Sequence, residues 1–285
     1  MKSERIKPVK KTIRRLNLEI NEIKKEIYQT ITLPRNQSEL LFVVGCQRSG
    51  TTLLQKVFRR DWTVKTYKET DVLSNQDREN GIRLNPLAFV EDTFSKSHAK
   101  LIVAKPLVES QRTVEILDFF SSAKAIWQFR YYQDVAASNL KRFGLRNGIN
   151  NLRPIVSNDP DNWRSEGLGQ ELRELVLEYF SEDMKPHDAA ALFWLIRNSW
   201  FFTQNLGQHK RVSMSKYEDF VEHPYESTCR MYSLLGLKQP DVALVKEVHA
   251  RSVKKGKDID LTPEIAKQCE DMWEQLCAEY TSQLN

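Results

Sequence analysis

Gly45-Cys46-Gln47-Arg48-Ser49-Gly50-Thr51-Thr52-Leu53-Leu54 is the stretch whose reading decides the fold. An apolar run, Leu40-Leu41-Phe42-Val43-Val44, leads into it, and a helical pattern at Leu53, Leu54, Val57 and Phe58 leads out. Strand, glycine-bounded loop and helix together form a cradle for phosphate. The loop's N–H groups converge, and the helix N-terminus adds the positive end of its dipole. The Gly-x-x-x-x-Gly spacing is that of a Walker loop, but Thr51 stands where a nucleoside triphosphatase needs its Lys. That Lys reaches the β- and γ-phosphates, so its absence argues against ordinary ATP or GTP chemistry. The loop carries a cation inside it instead, at Arg48. The alternative for these residues is a plain polar turn.

Size and composition set the frame. At 285 residues the chain fits one large α/β domain or two small ones. With 40% hydrophobic and 10% aromatic residues it can bury a sizeable core. Its four Cys, at 46, 229, 269 and 277, show no C-x-x-C and no metal-ligand spacing. That pattern suits a reducing compartment and predicts neither a disulfide scaffold nor a zinc site. No apolar run approaches the roughly 20 residues that span a bilayer. Met1-Lys2-Ser3-Glu4-Arg5 lacks the apolar core of a signal peptide, so a cytoplasmic location is expected. Residues 1–30 hold nine Lys/Arg and four Glu, while the rest of the chain holds 34 of each sign. The body is electrically neutral, and nucleic-acid binding is not expected of it.

Residues 1–33 read as an amphipathic helix and residues 34–285 as a single domain. Ile13, Leu16, Ile20, Ile23 and Ile27 recur at three and four residues, making one apolar stripe. The expected role of that stripe is packing on the body. A helix pair between two copies and peripheral contact with a membrane surface are the alternatives. Strands are predicted at Leu40–Val44, Thr63–Tyr67, Leu101–Ala104, Ala123–Phe129 and Arg211–Ser215. Continuous apolar strands separated by helices predict a P-loop-like parallel sheet flanked by helices on both faces, followed by a helical C-terminal part. The loops after residues 44, 67, 104, 129 and 215 should then line one cleft. Residues 74–98 and 144–170 carry Asn-Pro, Asp-Pro and Asn-Gly signals and read as irregular. Thr262-Pro263-Glu264 marks a helix start. Phe193, Trp194, Trp200, Phe201 and Phe202 suit a core helix better than a substrate box.

A second constellation is Phe129-Arg130-Tyr131-Tyr132-Gln133-Asp134, with Ser138 eight residues after the Arg. An Arg at a strand end can fork onto a phosphate, and a Ser hydroxyl can complete its shell. Together the two constellations resemble the PAPS-dependent sulfotransferases. The first is similar to their 5′-phosphosulfate loop, and the second to their 3′-phosphate motif, Arg-x-Pro-x-Asp-x-x-x-Ser. Tyr132 departs from that motif by replacing its Pro. The donor, 3′-phosphoadenosine 5′-phosphosulfate (PAPS), has no γ-phosphate, so the missing Walker Lys has no target. The resemblance implies that Arg48, Ser49, Gly50, Thr51 and Thr52 bind the 5′ end and that Arg130 and Ser138 bind the 3′-phosphate. Lys216-Tyr217-Glu218-Asp219 resembles a further family segment, which puts Tyr217 near the adenine or in simple packing. Arg251-Ser252-Val253-Lys254-Lys255-Gly256-Lys257 resembles more loosely the loop that closes on the 3′-phosphate, through Lys254, Lys255 and Gly256. A solvated charge run is its alternative.

Sulfuryl transfer is an in-line displacement at sulfur. It needs cations for the departing phosphate oxygen and a base for the acceptor proton. No metal is expected. Arg48 is the natural cation for the leaving oxygen. Cytosolic members carry Lys-Thr-His after the third core strand, whereas this chain has Ala104-Lys105-Pro106, keeping the Lys and lacking the His. Lys68-Glu69 resembles the Lys-Glu of other family branches and nominates Glu69 as base, with Lys68 and Lys105 as helpers. An exposed charge pair is the alternative for Lys68-Glu69, and His98 is the next candidate base. The resemblance implies transfer from PAPS to a hydroxyl or amine of a small-molecule, carbohydrate or lipid acceptor. A P-loop kinase and a catalytically inactive PAP-binding protein are the rival readings, and a scaffold built on the N-terminal helix is a weaker third.

Overall fold

Leu40 to Val44 are all apolar, so a strand there needs cover on both of its faces. The computed structural model supplies it. The structure describes residues 2–34, 38–75 and 81–284, with backbone alone for residues 2–15 and 17. Strand β1 (Glu39–Gly45) divides its side chains between two cores. Leu41 and Val43 pack with Leu54, Phe58 and Phe220, while Phe42 and Val44 pack with Phe94, Trp127 and Trp194. The other strands are β2 (Val64–Tyr67), β3 (Ser74–Asn75), β4 (Arg83–Leu84), β5 (Leu101–Ala104), β6 (Lys124–Phe129) and β7 (Val212–Lys216). Five of them form one parallel sheet in the order β2-β5-β1-β6-β7. The register pairs Glu39 with Leu101 on one side of β1 and Leu41 with Lys124 on the other. All five predicted strands are present, and their C-terminal ends share one edge.

The helices are α1 (Lys2–Thr32), α2 (Thr51–Arg60), α3 (Leu87–Ser95), α4 (Thr113–Phe119), α5 (Tyr132–Phe143) and α6 (Asn147–Val156). Then follow α7 (Gln170–Tyr179), α8 (Pro186–Thr203), α9 (Tyr217–Glu222), α10 (Pro224–Leu234) and α11 (Pro263–Leu284). Helix α8 is buried along most of its length, in keeping with its run of aromatic residues. Helix α11 starts at the Thr262-Pro263 signal.

Two expectations need correction. Residues 74–98 and 144–170 are not irregular throughout, because they contain the β3–β4 pair, α3 and α6. Pro86 is the N-cap of α3, so its turn signal is a helix start. In α6 the Asn147-Gly148 signal marks a helix crossing. A Cβ on Gly148 would lie 2.7 Å from the Ala190 nitrogen of α8. The second correction concerns α1, whose polar face meets the body. Lys25 Nζ donates to the Arg59 carbonyl at 2.7 Å, and Gln29 Nε2 donates to the Trp62 carbonyl at 2.8 Å. Tyr28 sits edge-on to Trp62, and Glu26 pairs with Lys65. The end of α2 leaves carbonyls without helical partners, and long polar side chains satisfy them where an apolar stripe would not. Leu16, Ile20, Ile23 and Ile27 of the stripe are exposed, and the Ile13 side chain lies outside the described residues.

Candidate active site

At the end of β1, in the middle of the sheet, the chain turns through Cys46–Gly50 into α2. Arg48 adopts a left-handed φ of 68°, and Gly50, the N-cap of α2, has φ 92°. Only glycine suits position 50 on two counts. Its φ is unfavourable for a side chain, and a Cβ would lie 2.3 Å from Cδ2 of Tyr217. Helix α2 begins at Thr51, so its first N–H groups have no acceptor within the helix. Ser49 is fully buried, and its hydroxyl has no partner among the described residues.

The first two sequence constellations meet here. Arg48 Nε donates to Ser138 Oγ of α5 at 3.0 Å. Burial, and then the nearby Arg142 and Arg130, lower the pKa of Arg48 from its ordinary value. Arginines crowded in this way, with no carboxylate on Arg48 among the described residues, suit a bound anion.

Arg130 follows β6 and is fixed from several sides. Its carbonyl accepts from Trp194 Nε1 of α8 at 3.0 Å, and its guanidinium lies 4.3 Å from the centre of the Tyr217 ring. It donates to Asp134 Oδ2 at 3.0 Å and to the Ser252 carbonyl, while its buried Nε has no partner among the described residues. Tyr217 is thus wedged between the loop glycine and Arg130, and packing is what the geometry displays for it. Tyr132, in place of the motif's Pro, opens α5 by burying its ring against Trp194 at 5.7 Å.

The basic loop comes to the same place by its backbone. Asp134 accepts from Lys254 N–H at 2.8 Å and from Gly256 N–H at 2.7 Å. A Cβ on Gly256 would lie 2.2 Å from the Gln133 carbonyl oxygen, so the loop seats this closely only with glycine. The Lys254 and Lys255 side chains stay exposed at the rim.

Glu69 lies in the loop after β2, and its Oε1 accepts from Val108 N–H at 3.1 Å. Burial pushes its carboxyl pKa up, and the charges of Lys105 and Arg197 with the Val108 N–H only partly offset that push. Lys105, after β5, points Nζ at Thr52 Oγ1, 3.4 Å away, and burial lowers its pKa despite the charge of Glu69. Lys68 is exposed, and its N–H donates to Asp71 Oδ2 at 2.8 Å. His98 precedes β5, at the edge of the sheet opposite to Lys105, so the geometry removes it as an alternative to Glu69.

Sequence reading missed three supporting groups. Arg197 of α8, fully buried, donates to the carbonyl of Leu107, in the same peptide unit whose N–H holds Glu69. Glu218 Oε1 accepts from Tyr131 N–H at 3.1 Å, at the start of α5. Glu109 is buried in a fork with Arg83 at 2.9 and 3.0 Å and also accepts from Leu84 N–H and Arg112. The motif's own Asp134 carried a signal. Glu218 lay within the quoted segment Lys216–Asp219, and for Arg197 and Glu109 the only signal is a charged residue beside apolar ones.

Among the described residues no cluster of three or more metal-ligating side chains occurs, and no helix is long and apolar enough to cross a membrane. No curated protein matches the chain closely enough to count as a relative. Among solved structures, the chain is similar to the sulfotransferase domain of the Synechococcus PCC 7002 olefin synthase. The identity is 15% and the TM-score 0.55, over 86% of this chain and 98% of that one. It also matches the sulfotransferase domain from the curacin biosynthetic pathway, at 16% identity and TM-score 0.49, over 84% and 98% of the two chains. A third match is a mouse sulfotransferase, SULT7A1, complexed with PAP, at 15% identity and TM-score 0.45, over 84% of each. The sulfotransferase domain family matches residues 38–275, most of the chain. With that match joined to the parallel sheet and the glycine-bounded loop at its centre, the chain belongs to the sulfotransferase family.

Proposed function

We propose that this site transfers a sulfuryl group from PAPS to a hydroxyl or amine of a small-molecule, carbohydrate or lipid acceptor. The observation that carries this reading is the contact of Arg48 with Ser138, which joins the two anion-binding constellations across 90 residues of sequence. The residues also fit the donor. Ser49 Oγ and Arg130 Nε are two of the eight buried side-chain polar atoms that lack partners among the described residues. One belongs to the loop expected to hold the 5′ end and the other to the motif expected to hold the 3′-phosphate.

In this reading Arg48, Ser49, Gly50, Thr51 and Thr52 hold the 5′ end through side chains and helix-start N–H groups. Arg130 and Ser138 hold the 3′-phosphate, with the 254–256 loop seated beside them by Asp134. Tyr217, expected near the adenine, lies with its ring centre 4.3 Å from the Arg130 guanidinium carbon. When bound, PAPS supplies the activated sulfuryl group and departs as PAP. Glu69 accepts the acceptor's proton, a task suited to a carboxyl whose pKa burial has raised. Arg48 and Lys105 stabilise the negative charge that grows as the bond to the sulfuryl group breaks. A kinase reading is disfavoured by Thr51 and by the Arg130–Ser138 pair, since ATP has no 3′-phosphate for it.

Radiolabelled PAPS offered with a panel of alcohols, sugars and lipids tests the reading. The expected result is label on at least one acceptor, reduced about 10²–10⁴-fold in Glu69→Gln while PAP affinity holds. Full transfer by Glu69→Gln would place the base elsewhere. Binding of PAP with no transfer to any acceptor would favour the inactive binding protein.

A further inference from the structure

The outward stripe of α1 is left uncovered by the chain's own body. Leu16, Ile20, Ile23 and Ile27 are 51, 47, 57 and 54% exposed. The body is held through Glu22, Lys25 and Gln29 on the opposite face and through Glu26, at g beside the stripe, which pairs with Lys65. A partner could therefore cover the stripe without displacing any of these contacts of α1 with the body.

The helical backbone runs back to Lys2, so the spacing does not stop at Ile13. Seven apolar positions from Ile6 to Ile27 recur at strictly alternating intervals of three and four residues. Written as heptads, position a is isoleucine four times, at Ile6, Ile13, Ile20 and Ile27. Position d holds Val9, Leu16 and Ile23, then Thr30. A mean period of 3.5 keeps one narrow seam turned toward another helix. A straight helix lying on a flat surface drifts by about 20° per heptad from such a repeat. Apolar a and d positions sustained over three to four heptads, with charges beside them, mark a coiled coil. Isoleucine at a with leucine at d favours two strands, the arrangement of Ile13 and Leu16, whereas isoleucine at both, as at Ile20 and Ile23, favours more. The flanking charges agree in the second half, where Glu19 at g of one helix faces Lys24 at e of a parallel partner. The first heptad, with Arg5 at g and Lys10 at e, adds no such pair.

We propose that α1 pairs in parallel with α1 of a second copy of this chain, forming a homodimer through a short coiled coil. The pairing uses none of the residues assigned to the nucleotide and leaves those of each copy to its own chain.

The test is the mass of the full chain in solution, by light scattering on gel filtration at high and low concentration. The stripe already faces water, so Ile20→Glu combined with Ile27→Glu spares the folded body. Unchanged near-ultraviolet circular dichroism checks that point. The expected masses are twice 33.3 kDa for the natural chain and 33.3 kDa for the double variant. A natural chain of 33.3 kDa at every concentration would overturn the proposal, as would a double variant that stays dimeric. A mass of three or more chains would reject the two-stranded pairing. Flotation with phosphatidylcholine–phosphatidylserine vesicles is run in parallel. A monomeric natural chain that floats, beside a double variant that does not, would make the stripe a membrane face and also overturn the pairing.

Discussion

Arg130 carries the 3′-phosphate part of the proposed site. It joins Tyr217, Asp134 and the Ser252 carbonyl, and its Nε is still unsatisfied among the described residues. Hydrogen bonds to charged groups contribute about 1.5–3 kcal/mol each, so Arg130→Ala should weaken PAP binding by roughly 10–150-fold per bond lost. Calorimetric titration measures it, and unchanged affinity would remove the 3′-phosphate assignment. Gly256→Ala acts at the same place by another route. The new methyl meets the Gln133 carbonyl, the loop lifts from Asp134, and PAP affinity should fall while the sheet stays folded. Glu69 sets a pH dependence. Its pKa is raised, so its proton-free form is lost at a higher pH than an ordinary carboxylate's, and transfer should decline there on acidification. A rate profile whose acid limb lies at or below the usual carboxylate range would contradict this. Arg48 and Ser138, which the structure brings into contact, were singled out in the sequence because each sits in a short segment that resembles a family motif. Arg197 and the grip of Asp134 on Lys254 were not, because their partners lie 90 and 120 residues away.

At the scale of elements, two short segments are tied to the body by buried charge. Glu109, in the helical turn Leu107–Arg112, accepts from Arg83 and Leu84 N–H of β4, and Arg83 reaches Glu166 at 2.8 Å. Burial alone would push the Glu109 pKa up, but the Arg83 fork, the Leu84 N–H and the Arg112 charge outweigh it and hold the pKa below its ordinary value. Its contribution to stability is therefore present above the unfolded carboxyl pKa and is lost as pH falls through the lower folded value. Glu109→Gln removes the carboxylate that Arg83 and Arg112 share, leaving Arg83 with Glu166 and Arg112 with Glu115. Because both arginines are partly exposed and keep a second carboxylate, the loss should fall below the cost of breaking a fully buried pair, about 3–5 kcal/mol, and urea unfolding at neutral pH measures it. The loss should shrink in acid, and a pH-independent loss would contradict the assigned cause. Strands β1 and β5 were legible because Leu40–Val44 and Leu101–Ala104 are unbroken apolar runs that leave few alternatives. Helices α3 and α6 were obscured because Pro86 and Gly148 carry the same letters as a turn. Only the neighbouring α8, whose backbone leaves no room for a Cβ at Gly148, distinguishes a crossing from a loop.

Across the whole molecule, the sheet gathers the α2 loop, Glu69, Lys105 and Arg130 at the C-terminal ends of its strands. Groups separated by more than 80 residues thereby come to one end of the sheet. The periodicity of α1 was legible, but its direction was not. An amphipathic pattern specifies a face, and the carbonyls at the end of α2 decide which face turns inward. The acceptor leaves no comparable signature in the sequence, because no short spacing of residues is required to admit a hydroxyl. The donor does leave one, and its identity is the claim on which the proposed activity stands. Thermal unfolding with PAP, with ATP and magnesium, and with neither tests it most directly. A ligand at 100 times its dissociation constant adds about 2.7 kcal/mol, or about 5–10 °C for a chain of this size. The account predicts that rise with PAP and none with ATP and magnesium. A rise with ATP and magnesium alone would contradict it and return the site to phosphoryl transfer.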